Sequence, residues 1–159
     1  MKITKEQLLP FIHKAHRNTY AAPKEIREKN KVEIMKGHTS YRYVEGSLSY
    51  EDSYAGHLWA PGREVVFLND EPIWCMSYQG KAKDGLDECF VSQVYGFLKK
   101  ALDSCTEDVP FRGLHGFSED DFEYRFIFEG TWEYFVGREQ VLYKGEVVFF
   151  QDVMGSKII

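Results

Sequence analysis

With 159 residues, 43% apolar and 16% aromatic, the chain is long enough to bury a core without disulfides or metals, and its aromatic share points to a large antiparallel sheet or an aromatic-lined cavity. The formal charge of −5, from 25 acidic against 20 basic residues, argues against the phosphate neutralisation on which nucleic-acid affinity depends. No run reaches the ~18 apolar residues needed to span a bilayer, and Met1-Lys2-Ile3-Thr4-Lys5-Glu6 lacks the apolar centre of a signal peptide, so a cytoplasmic protein with no membrane partner is expected.

The first helix is expected over about 4 to 18, where Thr4 and Gln7 form a capping-box pattern and Leu8, Phe11, Ile12 and Ala15 recur at helical spacing, with a kink at Pro10. Residues 21 to 40 are polar and read as a short exposed helix or a loop. Their basic cluster of Lys24, Arg27, Lys29, Lys31 and Lys36 is interrupted by Glu25, Glu28 and Glu33, the pattern of a solvated face. Period-two alternation then begins. Tyr41 to Val44 and Ser47 to Tyr50 flank a Glu45-Gly46 turn, and Glu64 to Leu68 and Ile73 to Tyr78 flank Asn69-Asp70-Glu71-Pro72.

A second helix starts after Asp84 to Asp87, with Phe90, Val91, Val94, Phe97, Leu98, Ala101 and Leu102 on one stripe. Past a turn at Pro110-Phe111-Arg112-Gly113, four strands are expected: Phe122 to Phe128, Thr131 to Val136, Glu139 to Tyr143 and Glu146 to Gln151. Cys75, Cys89 and Cys105 show no C-x-x-C spacing and read as buried reduced thiols.

The order of helix, two hairpins, helix, two hairpins prompts a search for an internal repeat. Phe11-Ile12-His13-Lys14-Ala15 matches Phe97-Leu98-Lys99-Lys100-Ala101 at an offset of 97 − 11 = 86. Glu45-Gly46-Ser47-Leu48-Ser49-Tyr50 matches Glu129-Gly130-Thr131-Trp132-Glu133-Tyr134 at 129 − 45 = 84. Gly62-Arg63-Glu64 matches Gly137-Arg138-Glu139 at 138 − 63 = 75, and in that register Val66 meets Val141, Glu71 meets Glu146 and Gly80 meets Gly155. The expectation is a single α+β domain over 1–159, made of two tandem helix-plus-four-strand halves at about 1–82 and 83–159. Mainly antiparallel sheet carries packed helices, with a groove between the halves.

Several stretches resemble an uncharacterised family of small prokaryotic domains, found alone or behind an Xre-type helix-turn-helix. They are Arg17-Asn18-Thr19-Tyr20-Ala21, Asp52-Ser53-Tyr54-Ala55-Gly56, Gly62-Arg63-Glu64-Val65-Val66, Pro72 to Gly80 and Pro110-Phe111-Arg112-Gly113. The strand Trp74-Cys75-Met76-Ser77-Tyr78-Gln79-Gly80 is the most specific of them. The resemblance implies no activity. The single clear helix before residue 40 lacks the helix pair of a DNA-binding module, so no nucleic-acid partner is expected for this chain by itself.

No G-x-S-x-G elbow, phosphate loop, H-E-x-x-H helix or dinucleotide fingerprint occurs, so no cofactor is expected and the case for an enzyme is weakened. His13 and His16 lie three apart on the first helix without a nearby Cys, Asp or third His to complete a shell; they read as surface histidines, and no metal is expected. Trp74, Met76 and Tyr78 share one face of their strand, either as core or as one wall of a pocket with Tyr50, Tyr54, Trp132 and Tyr134. Asp52 is placed to orient a ligand or stabilise a turn, and Arg112 to pair with an anionic ligand or with Asp52. The leading reading is a small-molecule-binding or sensing domain with an aromatic-lined groove. The alternatives are a hydrolase or isomerase using Asp52, His57 and Arg112, and a protein-interaction module or homodimer that pairs through an edge strand or apolar face.

Overall fold

The computed structural model describes residues 3–106 and 111–158. Helix α1 (Lys5–Asn18) is followed by the short α2 (Lys24–Lys29) and by strands β1 (Lys31–Val32), β2 (Thr39–Glu45), β3 (Leu48–Tyr54), β4 (Gly62–Leu68) and β5 (Glu71–Ala82). Helix α3 (Glu88–Asp103) then leads into β6 (Ser118–Glu119), β7 (Phe122–Thr131), β8 (Tyr134–Tyr143) and β9 (Glu146–Lys157). All nine strands join one antiparallel sheet in the order β1-β2-β3-β4-β5-β9-β8-β7-β6. The protein is therefore α+β with the sheet dominant. Among the described residues no helix is long and apolar enough to cross a membrane.

The helix limits follow local chemistry. The Thr4 N–H donates to Gln7 Oε1 at 3.1 Å, one half of the expected box, and α1 runs through Pro10 without a break. Asp87 caps α3 by accepting from the Phe90 N–H at 2.8 Å, which satisfies one of the orphan donors of the first turn. Both helices lay their apolar stripes on one face of the sheet. Leu8, Phe11 and Ile12 of α1 and Val94, Leu98 and Leu102 of α3 share a single core with inward residues of the central strands, among them Val66, Met76, Tyr124, Phe149 and Val153.

The second group of strands differs from the sequence expectation. Thr131 ends β7, and Tyr134 to Val136 run on with Glu139 to Tyr143 as one ten-residue strand, β8, because Gly137 continues the ladder opposite Phe128 and Val153. A glycine between two short apolar runs reads as a break, but here it makes room: a Cβ on Gly137 would lie 2.8 Å from Phe128 Cβ. The β4–β5 and β8–β9 hairpins nevertheless share their geometry at the 75-residue offset. Val66 pairs with Trp74 before the register shifts to Phe67 with Pro72, and Val141 pairs with Phe149 before it shifts to Leu142 with Val147. The turn residues Asn69 (φ 51°) and Asp70 (φ 63°) correspond to Lys144 (φ 50°) and Gly145 (φ 82°), the double positive φ of the tight hairpin turn that matches strand twist. These two hairpins meet at the centre of the sheet through β5 and β9.

Of the cysteines expected to be buried, Cys105 is, whereas Cys75 is half-buried and Cys89 exposed. Cys89 lies in the first turn of α3, on the side away from its buried stripe.

Candidate functional site

The inward face of the sheet is apolar except near its middle, where four polar side chains interrupt it. Asp52 on β3 pairs in register with Glu64 on β4, and Glu139 on β8 pairs with Gln151 on β9. All four are at least 96% buried. Like charges directly opposite each other on neighbouring strands repel, so the structure must neutralise or protonate them.

Arg112, in the segment after α3, neutralises two of them. Its Nε and Nη2 donate to Glu139 at 2.9 and 2.6 Å, and its Nη1 donates to Glu64 at 3.0 Å, so all three guanidinium nitrogens are engaged with carboxylates. Glu139 also accepts from Tyr124 Oη at 2.7 Å and from the Gln151 amide. On its other side Glu64 Oε2 lies 2.8 Å from His16 Nε2 of α1. Burial works to raise the Glu64 carboxyl, but contact with His16 and the Arg112 charge outweigh it and hold it below the usual carboxylate range.

Asp52 is the exception. Its Oδ1 accepts from Tyr78 Oη at 2.6 Å, while Oδ2 accepts no hydrogen bond from the described residues. Burial, reinforced by the Glu64 charge, pushes its carboxyl up to about 7, against the weaker pull of Tyr78 and Arg112. The Tyr78 contact depends on a glycine. Tyr78 pairs with Gly62, and a Cβ there would stand 2.5 Å from the Tyr78 hydroxyl. Without a side chain on Gly62, the Tyr78 ring crosses β4 to reach Asp52 on β3.

Beside this cluster lies a cavity of about 230 Å³, enclosed by α1, α3, the 55–61 loop and the sheet. Asp52, Glu64, Arg112, Gln151 and His16 contribute polar lining, and Tyr20, Tyr54, Tyr78, Tyr95, His57 and Phe149 contribute rings. The rings brace one another: Tyr20 meets Tyr54 edge-on at 5.9 Å, Tyr95 meets Phe149 edge-on at 5.5 Å and His57 lies 5.9 Å from Tyr95. Lys99 also lines the cavity, its ammonium 5.2 Å from the centre of the Tyr20 ring. Ser92 is an exposed lining residue and marks the rim.

Of the eight residues singled out from the sequence, four line this cavity and four lie elsewhere, among them Trp132, half-buried in the turn between β7 and β8. Asp52, Tyr54, Tyr78 and Arg112 line this cavity, as does His57. Trp74 lies fully buried in the core, stacked against Phe111 and Phe135 at 6.2 and 6.3 Å, with its indole N–H donating to the Trp132 carbonyl at 3.0 Å. Tyr50 is also fully buried, edge-on to His16 at 5.8 Å. Tyr134 is 58% exposed, because β8 turns its even-numbered residues to the outer face. Arg112 pairs with Glu64 and Glu139 and not with Asp52, since those carboxylates flank it on both sides. His16 is buried, not a surface histidine: four residues after Ile12, it falls on the apolar stripe of α1. Sequence reading missed His16, Glu64, Glu139 and Gln151. An acidic residue at an inward position of an otherwise apolar alternation, Glu64-Val66-Leu68 and Glu139-Val141-Tyr143, is the signal that would have found the two glutamates. No group of three or more His, Cys, Asp or Glu among the described residues is arranged to hold a metal ion.

The geometry defines an α+β protein with a single antiparallel sheet and a cavity roofed by two helices, the cavity set against buried carboxylates. Residues 52–158 match the family described as a domain of unknown function, DUF5680, and the chain belongs to it. The matched span holds Asp52, Glu64, Arg112 and Glu139, while His16 and Tyr20 precede it. No curated protein and no solved structure matches the chain.

Proposed function

We propose that the chain is a small-molecule-binding domain whose ligand occupies the cavity beneath α1 and α3. The observation that carries this reading is Asp52: a residue 2% exposed that lines the cavity with one carboxylate oxygen lacking a donor. The unpaired oxygen of Asp52 is an acceptor that a ligand's donor would satisfy, and ring walls on which several polar side chains converge suit a small-molecule site. The shared register, bulge and turn of the two central hairpins support reading the chain as a duplicated unit, with the ligand site beside the meeting of its halves. Thermal unfolding against a broad metabolite library tests the proposal. A ligand at a hundred times its dissociation constant should add about 2.7 kcal/mol, and Ser92→Trp, which places an indole at the rim, should abolish the response. Uniform absence of shifts across the library would remove the reading.

A second reading, an enzyme of acid–base chemistry, is favoured by one arrangement. His16 held by Glu64 lines the same cavity as Asp52, whose carboxyl is pushed up to about 7, so an imidazole and a carboxyl face one space where a substrate would meet both. Mass analysis of each stabilising compound after prolonged incubation separates the two readings, since a binding domain returns its ligand unchanged.

A further inference from the structure

We propose that the ligand is a small protonated amine, its ammonium group seated between the free oxygen of Asp52 and the tyrosine rings of the cavity. This rests on the reading above that the cavity holds a small molecule.

The charge balance points to a cation. Three buried carboxylates, Asp52, Glu64 and Glu139, face one buried guanidinium, Arg112. Even with His16 counted as positive, Arg112 and His16 together match Glu64 and Glu139, with which they are in direct contact. Asp52 is left over. Arg112 directs all three of its nitrogens at Glu64 and Glu139 and makes no hydrogen bond to Asp52. An ammonium supplies both missing elements, a positive charge and an N–H donor for Oδ2, in one short charge-assisted hydrogen bond.

The walls point the same way. Tyr20, Tyr54, Tyr78 and Tyr95 surround the space, and aromatic faces attract cations while offering an anion little. The cavity already contains one instance, Lys99 Nζ over the Tyr20 ring at 5.2 Å. Arg112 lies over the Tyr78 ring at 5.7 Å in the same manner. An anionic ligand would have to approach an ionised Asp52 and Glu64, with Lys99 as the lining cation left to hold it. A volume of about 230 Å³ equals roughly eight waters at ~30 Å³ each, which suits an amine with one ring or a short chain.

The test uses the full chain at about pH 8, where Asp52 is ionised, titrated calorimetrically and followed by thermal unfolding. The probes are benzylamine, cyclohexylamine and 1,4-diaminobutane, with benzyl alcohol and benzoate as neutral and anionic matches of the first. The expected result is binding of the amines and none of benzyl alcohol or benzoate. Asp52→Asn, which keeps an acceptor for Tyr78, should weaken amine binding about tenfold or more, whereas Lys99→Met should leave it unchanged or tighten it. Benzoate binding that Lys99→Met removes, with amines inert, would overturn the cation assignment and leave the cavity-binding reading standing. Amine binding that survives Asp52→Asn would overturn it as well. Silence from every probe on the unmodified chain overturns the amine assignment, and silence extended to the whole metabolite library overturns both.

Discussion

Glu64 and Glu139 stand 75 positions apart in the chain (139 − 64 = 75) and grip the same guanidinium, Glu64 through Nη1 and Glu139 through Nε and Nη2 of Arg112. The two acids occupy equivalent places in the two central hairpins, so one arginine ties together the strands on either side of the β5–β9 seam.

Removing that arginine should be severe. Arg112→Met leaves two carboxylates buried without their shared countercharge, and breaking a buried pair in this way costs about 3–5 kcal/mol. Urea unfolding at neutral pH measures it. The control is Arg138→Met, which breaks a bidentate pair with Asp152 at 2.7 and 2.8 Å on the solvent side, where the loss should stay below about 1 kcal/mol. Equal losses at the two sites would show that Arg112 does not supply the buried countercharge assigned to it.

Asp52 makes stability fall with rising pH. Its folded carboxyl titrates at about 7, against an ordinary 3.8, so between these values the folded chain keeps a proton that the unfolded chain releases. The stabilisation is complete below about pH 4 and is lost as pH rises through 7. Asp52→Asn removes this dependence, and at pH 8 it should be more stable than the parent by on the order of 4 kcal/mol, about three pKa units at 1.36 kcal/mol each. Glu64 works with the opposite sign: its lowered carboxyl stabilises above the ordinary glutamate range, and that contribution is lost as pH falls through its folded value. Unfolding free energies from pH 4 to 8 for parent and variant give the slope directly. A parent curve that is flat or rising across this window would contradict the assignment.

Two glycines should respond in opposite directions to the same change. Gly62→Ala puts a methyl group 2.5 Å from the Tyr78 ring, so Tyr78 must leave Asp52, with a loss of about 1–3 kcal/mol from overpacking. Gly96→Ala lies on the exposed side of α3 with nothing within 4 Å of the new methyl, and should stabilise by about 0.5–1 kcal/mol through helix propensity. Thermal melts of the two variants side by side decide it.

The aromatic residues that the sequence grouped together should also separate. Trp74→Ala empties a stack of three rings and should cost about 3–5 kcal/mol. Tyr134→Ala, on the outer face and 58% exposed, should change stability by no more than about 0.5 kcal/mol. Denaturation midpoints distinguish core from surface without reference to any ligand.

These contrasts show which parts of the molecule were legible in the sequence. Turn chemistry is local, so Asn69-Asp70 marked its hairpin, and the apolar stripes of α1 and α3 marked their buried faces. Asp52, Tyr54, Tyr78 and Arg112 were found because short motifs drew attention to them. Glu64 and Glu139 were noticed as matching letters and not as a site, since a buried acid is justified only by partners such as Arg112 and His16, which lie 48 and 27 or more residues away along the chain. The break expected at Gly137 failed for a related reason: whether a glycine ends a strand or admits a neighbouring ring depends on Phe126 and Phe128 across the ladder.

The position of β9 has a consequence for how the protein comes off the ribosome. Strand β9 follows both β5 and β8 in the chain yet lies between them in the sheet, so until it emerges both neighbours present open edges of seven or more residues, able to pair with other chains. The sheet can be sealed only late, by an insertion between two preformed meanders. Nascent copies crowded on one message would be most prone to exchange strands in that interval, and a chaperone that shields β5 and β8 would act there.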